Sequence, residues 1–208
     1  MNVGNSVRLA ILDWERYELE SAMLHACNSI DGTARKIFPK EKNKVRFTKL
    51  LRENYSILGP MGAPGINLWK TRFPLHITNP TATGGEPDLA DVIYTIHRCS
   101  HGHGDELPSG FELIEDARGI ARRTTLEIKN GAIRLSDRII FGLIAVSVLS
   151  PVNIGQKVPE NFYLTYGSSV KLIINEWWGR AAEFPSVAES DPVPLVSLNF
   201  STWKKQMS

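Results

Sequence analysis

Asp88–Pro108, DLADVIYTIHRCSHGHGDELP, is the stretch on which the reading of this chain turns. It places three of the five histidines, one of the two cysteines and an arginine within the seven residues His97 to His103. Pro87 and Asp88 make a favourable helix opening. At about 100° per residue, Leu89, Ile93, Ile96 and Ser100 fall on one side with Val92 beside them, which predicts a helix packed on a core. Asp91, Tyr94, Arg98 and His101, at spacings of 3, 4 and 3, share the opposite side, expected to be polar. Glycines flank His103, so the helix is expected to end near Gly102, leaving His103 free to turn back towards Arg98.

Upstream, residues 59–87 are dense in glycine and proline and predict a long irregular connection, with a short extended piece possible over 66–77. Before it, residues 35–52 carry Arg35, Lys36, Lys40, Lys42, Lys44, Arg46, Lys49 and Arg52 against one acid, Glu41. The second half of this run predicts a helix with Asn43 as its N-cap, continuing to Leu58, with Phe47, Leu50, Leu51 and Leu58 on its apolar face. Leu12, Leu19, Met23, Ala26 and Ile30, at spacings of 7, 4, 3 and 4, predict one amphipathic helix that ends or kinks at Asp31-Gly32.

Downstream the periodicity changes. Phe111–Ile114 and Thr124–Leu135 predict strands, the second folded into a hairpin at Asn130-Gly131, where a type I′ turn requires positive φ. Ser136-Asp137 is expected to cap a helix running to Ser150, apolar nearly all round and therefore central. Phe162–Tyr166 reads as a short strand, Lys171–Trp178 as a short helix and Val193–Phe200 as an extended segment. The expected architecture is mainly α, one domain over 1–208: a helical core over about 10–150, and a C-terminal extension, 160–208, packed on it.

Composition narrows the function classes. A net charge of +2 gives no global basic field, so any nucleic-acid affinity must come from local clustering. With 42% hydrophobic residues the chain can form a substantial core. The most apolar run, Ile139–Leu149, would be about 17 Å long as a helix, too short for a bilayer. Two cysteines and no leader-like N-terminus point to a soluble protein of the cytoplasm.

Three chemistries compete for the 97–103 cluster. Arg98 paired with Asp91 at the surface, with histidines at a helix C-terminus, would be purely structural. Zinc held by His97, His101 and His103 is a second reading; Cys99 faces away from them and no further ligand motif completes the set, so no metal or cofactor is expected. The third is a phosphodiester site, with histidine moving a proton and arginine holding the phosphate. Such a pair can cleave RNA without metal, because RNA carries its own nucleophile, the 2′-OH.

Arg98-Cys-Ser-His-Gly-His103 fits the R-x4–6-H motif of the HEPN domains (higher eukaryotes and prokaryotes nucleotide-binding). The longer pattern Ile93-Tyr94-x3-Arg98-Cys99-x3-His103, followed by Leu107-Pro108, resembles bacterial HEPN-like proteins. The resemblance implies a bundle of four or five helices, here with a small β-hairpin insertion, and a homodimer with a composite cleft. It also implies metal-independent endoribonuclease activity, as in toxins and antiviral effectors, on single-stranded RNA or tRNA. Arg98 and His103 match the catalytic pair; Tyr94, His101, Cys99 and Asp91 would support them, and Lys40, Lys42, Lys44, Arg46 and Lys49 would bind RNA. Active members usually carry Asn, Asp or His where this chain has Cys99. Some members are instead non-catalytic RNA- or nucleotide-binding modules, or assemble with an antitoxin or a nucleotidyltransferase.

Overall fold

The structure, a computed structural model, describes residues 2–103, 110–118, 124–129, 132–167 and 170–198, and at 98–103 the backbone alone. The fold is mainly α. Helices α1 (Val3–Glu15), α2 (Leu19–Ile37), α3 (Asn43–Glu53), α4 (Tyr55–Gly62) and α5 (Leu89–His103) precede strands β1 (Phe111–Ile114), β2 (Leu126–Lys129) and β3 (Ala132–Ser136). Helix α6 (Arg138–Leu149), strands β4 (Tyr163–Tyr166) and β5 (Val170–Ile173), and the short helices α7 (Ile174–Trp177) and α8 (Phe184–Glu189) complete it.

The N-terminal break lies elsewhere than the spacing predicts. Asp31 and Gly32 sit inside α2, and the chain turns instead at Arg16–Glu18, where Tyr17 adopts φ 66°. The Glu18 amide donates to the Asp13 carbonyl across this turn, so α1 and α2 double back on each other. Of the five spaced residues, Met23, Ala26 and Ile30 lie in the core, whereas Leu12 and Leu19, on either side of the turn, are only half-buried. The basic helix is likewise divided. Asn43 is its first helical residue rather than its cap, and Asn54, with its side-chain amide donating to the Leu50 carbonyl, separates α3 from α4. Helix α4 then runs through Gly59-Pro60, inside the expected loop.

Helix α6 takes the central position that its all-round apolarity predicts, buried from Ile139 to Leu149 except at Phe141. It crosses α4 where Gly62 meets Gly142: a Cβ on Gly142 would lie 2.8 Å from the Gly62 Cα. It meets α2 through a hydrogen bond between the Ser29 and Ser147 hydroxyls, 2.8 Å long. Asn153, just beyond α6, donates to Thr33 Oγ1 and the Ser147 carbonyl and accepts from Lys36 Nζ, so these buried polar groups are satisfied together.

Strand β3 is the middle of a three-stranded sheet, antiparallel to β2 and parallel to β1. The Asn130-Gly131 turn lies outside the described residues; Lys129 pairs with Ala132 on either side of it. Asp137 precedes α6 without capping it through its side chain. Its carboxylate instead accepts from Trp14 Nε1 at 2.7 Å and from the Asp116 and Ala117 amides at 2.8 Å, tying α1 and the segment after β1 to the start of α6.

A second sheet replaces part of the expected 171–178 helix. Val170–Ile173 pairs antiparallel with Tyr163–Tyr166, and only Ile174–Trp177 is helical. Alternating Val170, Leu172 and Ile174 suit a strand, and the cross-strand partner decides it. The extended C-terminal segment is tied to the loop after α4, where Val196 bridges Ile66 and the Leu198 amide donates to Thr71 Oγ1. One hydrophobic cluster contains residues from Val3 in α1 to Phe184 in α8. Among the described residues no helix is long and apolar enough to cross a membrane.

Candidate functional site

Helix α5 is anchored at its N-terminal end by a charged network. Asp88 Oδ1 accepts from the Asp91 amide, which satisfies a first-turn N–H as an N-cap does. Arg52 of α3 reaches across: Nε donates to Asp88 Oδ2 at 2.7 Å, and Nη2 to Asp88 Oδ1 and Asp91 Oδ2 at 2.9 Å each. Tyr55 Oη donates to Asp88, while Thr81 and the Ala82 amide donate to Asp91. Burial alone would raise the Asp88 carboxyl, but the hydrogen bonds and charge of Arg52 outweigh it and hold the group below its ordinary value. Burial, and then the neighbouring Asp88 carboxylate, push the Tyr55 phenol up, so it stays a donor.

This network relocates Asp91. Expected on a polar face near Arg98, it is 0% exposed and committed to Arg52, Thr81 and Ala82. Tyr94 is also buried, at 8% exposed, with its ring edge-on to Phe47 of α3 at 5.5 Å. His97 stacks on the same Phe47, centroids 5.1 Å apart. The side of α5 expected to be polar therefore packs against α3 over its first half.

The basic residues separate into distinct roles. Arg46 is buried and paired with Asp31 at 3.0 Å, which joins α3 to α2. Lys49 lies 4.4 Å above the Phe38 ring. Lys40 and Lys42 are exposed. Lys44 donates to the Thr78 and Asn79 carbonyls and sits 5.9 Å from the Tyr94 ring centroid. Together Lys44, His76, Thr78, Asn79, Tyr94 and Thr95 line an open cleft of about 540 Å³. Of the residues singled out in the sequence, Lys44 and Tyr94 are thus brought together, whereas Arg46 and Asp91 face other partners.

Arg98 follows Tyr94 by one helical turn, and α5 runs through Gly102 to His103 rather than stopping before it. The helix backbone continues over positions where glycine alone predicted an end. The side chains of Arg98, Cys99, His101 and His103 lie outside the described residues. Sequence reasoning missed Arg52, which looked like any other member of the basic run, and His76, a lone histidine in a Pro-rich loop. A carboxylate pair at Asp88 and Asp91, three apart at a helix start, was the available signal for Arg52.

A family model described as Rv1289 matches residues 2–204. The chain is 39% identical over 201 residues to the uncharacterized protein Mb1320 of Mycobacterium bovis and to the uncharacterized proteins MT1327 and Rv1289 of Mycobacterium tuberculosis. In each case the alignment covers 96% of this chain and 94% of the relative. No solved structure matches. The chain belongs to the Rv1289 family.

Proposed function

We propose that this member of the Rv1289 family is a metal-independent endoribonuclease of the HEPN type, working at the C-terminal end of α5. His103 takes the proton from a ribose 2′-OH, and the oxygen attacks the adjacent phosphorus. The P–O5′ bond breaks, the leaving oxygen gains a proton, and the products are a 2′,3′-cyclic phosphate and a 5′-OH end. Arg98 holds the phosphate and stabilises the charge that accumulates on its oxygens. The helical bundle acts as a homodimer, with the two motifs in one cleft. An antitoxin or nucleotidyltransferase is the expected kind of protein partner, and the cytoplasm the expected compartment.

One observation carries the reading: the cleft lined by Lys44 and Tyr94 opens beside α5 one turn before Arg98, with a cation on its wall. The test is labelled single-stranded RNA incubated with purified protein in excess EDTA, comparing wild type with Arg98→Ala and His103→Ala. Wild type is expected to cut and both variants to lose about a hundredfold or more in rate. Intact RNA with wild type, or equal cutting by the variants, refutes the mechanism. Cys99, at a position polar in active HEPN domains, favours the second reading, a module that binds RNA without cleaving it; binding without cleavage in the same experiment identifies it.

A further inference from the structure

The cleft beside α5 contains a residue outside the predicted site. His76, exposed on the loop before Thr78, shares its wall with Lys44, Tyr94 and Thr95. The cleft's volume of about 540 Å³ is in the range that accommodates small organic ligands.

Its electrostatics select the ligand. Arg46 and Arg52 have their charges answered by Asp31, Asp88 and Asp91. Lys44 has no carboxylate partner among the described residues. Its ammonium is held by two carbonyls, Thr78 O at 3.0 Å and Asn79 O at 2.7 Å, on a turn where Asn79 adopts φ 50°. An ammonium has three N–H donors, so one remains for a ligand. A cation fixed in this way has already lost the side-chain freedom that binding would otherwise remove, which favours an anion placed against it. Tyr94 adds a hydroxyl that, among the described residues, makes no hydrogen bond. Cation, imidazole and phenol around one cleft suit a phosphate joined to a sugar better than a neutral metabolite.

We infer that this cleft is the subsite for the nucleotide next to the scissile phosphate, with Lys44 and His76 on its phosphate and the Tyr94 hydroxyl on its ribose. The inference rests on the RNA reading above. Tyr94 and Arg98 are four residues apart, about 6 Å along the helix, on the scale of one phosphate step in an extended single strand. The cleft and the motif arginine can therefore serve consecutive phosphates.

The test uses a fluorescein-labelled 2′-O-methyl oligoribonucleotide, which lacks the attacking hydroxyl, with the full chain in EDTA. Anisotropy at several salt concentrations compares wild type, Lys44→Ala, His76→Ala and, as a control on β5, Lys171→Ala. Lys44→Ala is expected to weaken binding several-fold and to reduce the slope of log K against log salt by about 0.7, the loss of one phosphate contact on a single strand. His76→Ala is expected to weaken binding about 3- to 10-fold, the net worth of one ordinary hydrogen bond at an exposed position. Lys171→Ala should bind as wild type does.

With cleavable RNA, the two cleft variants should raise KM and leave kcat within about twofold, whereas Arg98→Ala and His103→Ala lower kcat. Unchanged binding in either cleft variant, or loss confined to kcat, overturns the subsite even if wild type cuts RNA. Binding that depends on Lys44 and His76 without any cleavage keeps the subsite and removes the nuclease reading. No binding by wild type removes both.

Discussion

Replacing Arg52 by Met tests what holds helix α5 in place. The change keeps the aliphatic stem but removes the three hydrogen bonds that Arg52 gives Asp88 and Asp91, two carboxylates that are 3% and 0% exposed. Removing one partner of a buried ion pair costs about 3–5 kcal/mol. Two features reduce the figure here. The Arg52 side chain is itself 26% exposed, and the carboxylates keep donors from Tyr55, Thr81 and Ala82 and the Asp91 amide. A loss of about 2–3 kcal/mol at pH 7 is therefore expected, read as a urea midpoint lower by about 1 M.

The pH dependence makes this prediction specific. Arg52 depresses the folded Asp88 value, so the stabilisation is fully present above the unfolded carboxylate value near 4 and is lost as pH falls through the lower folded value. The gap between wild type and Arg52→Met should shrink markedly at about pH 3, and adding Asp88→Asn to Arg52→Met should recover part of the loss at pH 7. A loss under about 1 kcal/mol at pH 7, or an equal gap at both pH values, would refute the account of the network as an ion-paired anchor.

Gly142→Ala should destabilise by about 1–3 kcal/mol in thermal or urea unfolding despite the better helix propensity of alanine, because the added Cβ meets the Gly62 Cα at 2.8 Å, a backbone atom that cannot rotate away. Asp137→Ala should cost about 3 kcal/mol or more and red-shift tryptophan emission, since it strands the Trp14 indole and two backbone amides. Cys27, fully buried and with its thiol pushed up by that burial, should resist iodoacetamide in native Cys99→Ser protein at pH 8 and react once urea unfolds it.

Much of the secondary structure was legible because its causes are local. Helix α5 follows from Pro87, Asp88 and the Leu89–Ile93–Ile96 stripe, α6 from continuous apolarity, and the β2–β3 hairpin from alternation around Asn130-Gly131. The candidate site was half legible for the same reason: the motif on α5 is contiguous, and so is the basic run before it.

Where local signals were silent, three-dimensional partners decided. Asp31-Gly32 had the composition of a break, yet Ser29 and Thr33 on either side bond to Ser147 and Asn153, Asp31 pairs with Arg46, the segment is helical and the chain turns at Tyr17. Val170–Ile173 became a strand because Tyr163–Tyr166 lies alongside to accept it. Arg46, Lys44 and Arg52 are near neighbours in a basic run, and nothing in their spacing separates them. Asp31 neutralises the first, Asp88 and Asp91 the third, and only Lys44 is left facing a cleft without a carboxylate partner among the described residues. The sequence by itself determined which helix carries the arginine and histidine cluster, since periodicity is a property of neighbours along the chain. Which charges are available to a ligand was decided by the tertiary structure, because a charge is neutralised by what lies beside it in space.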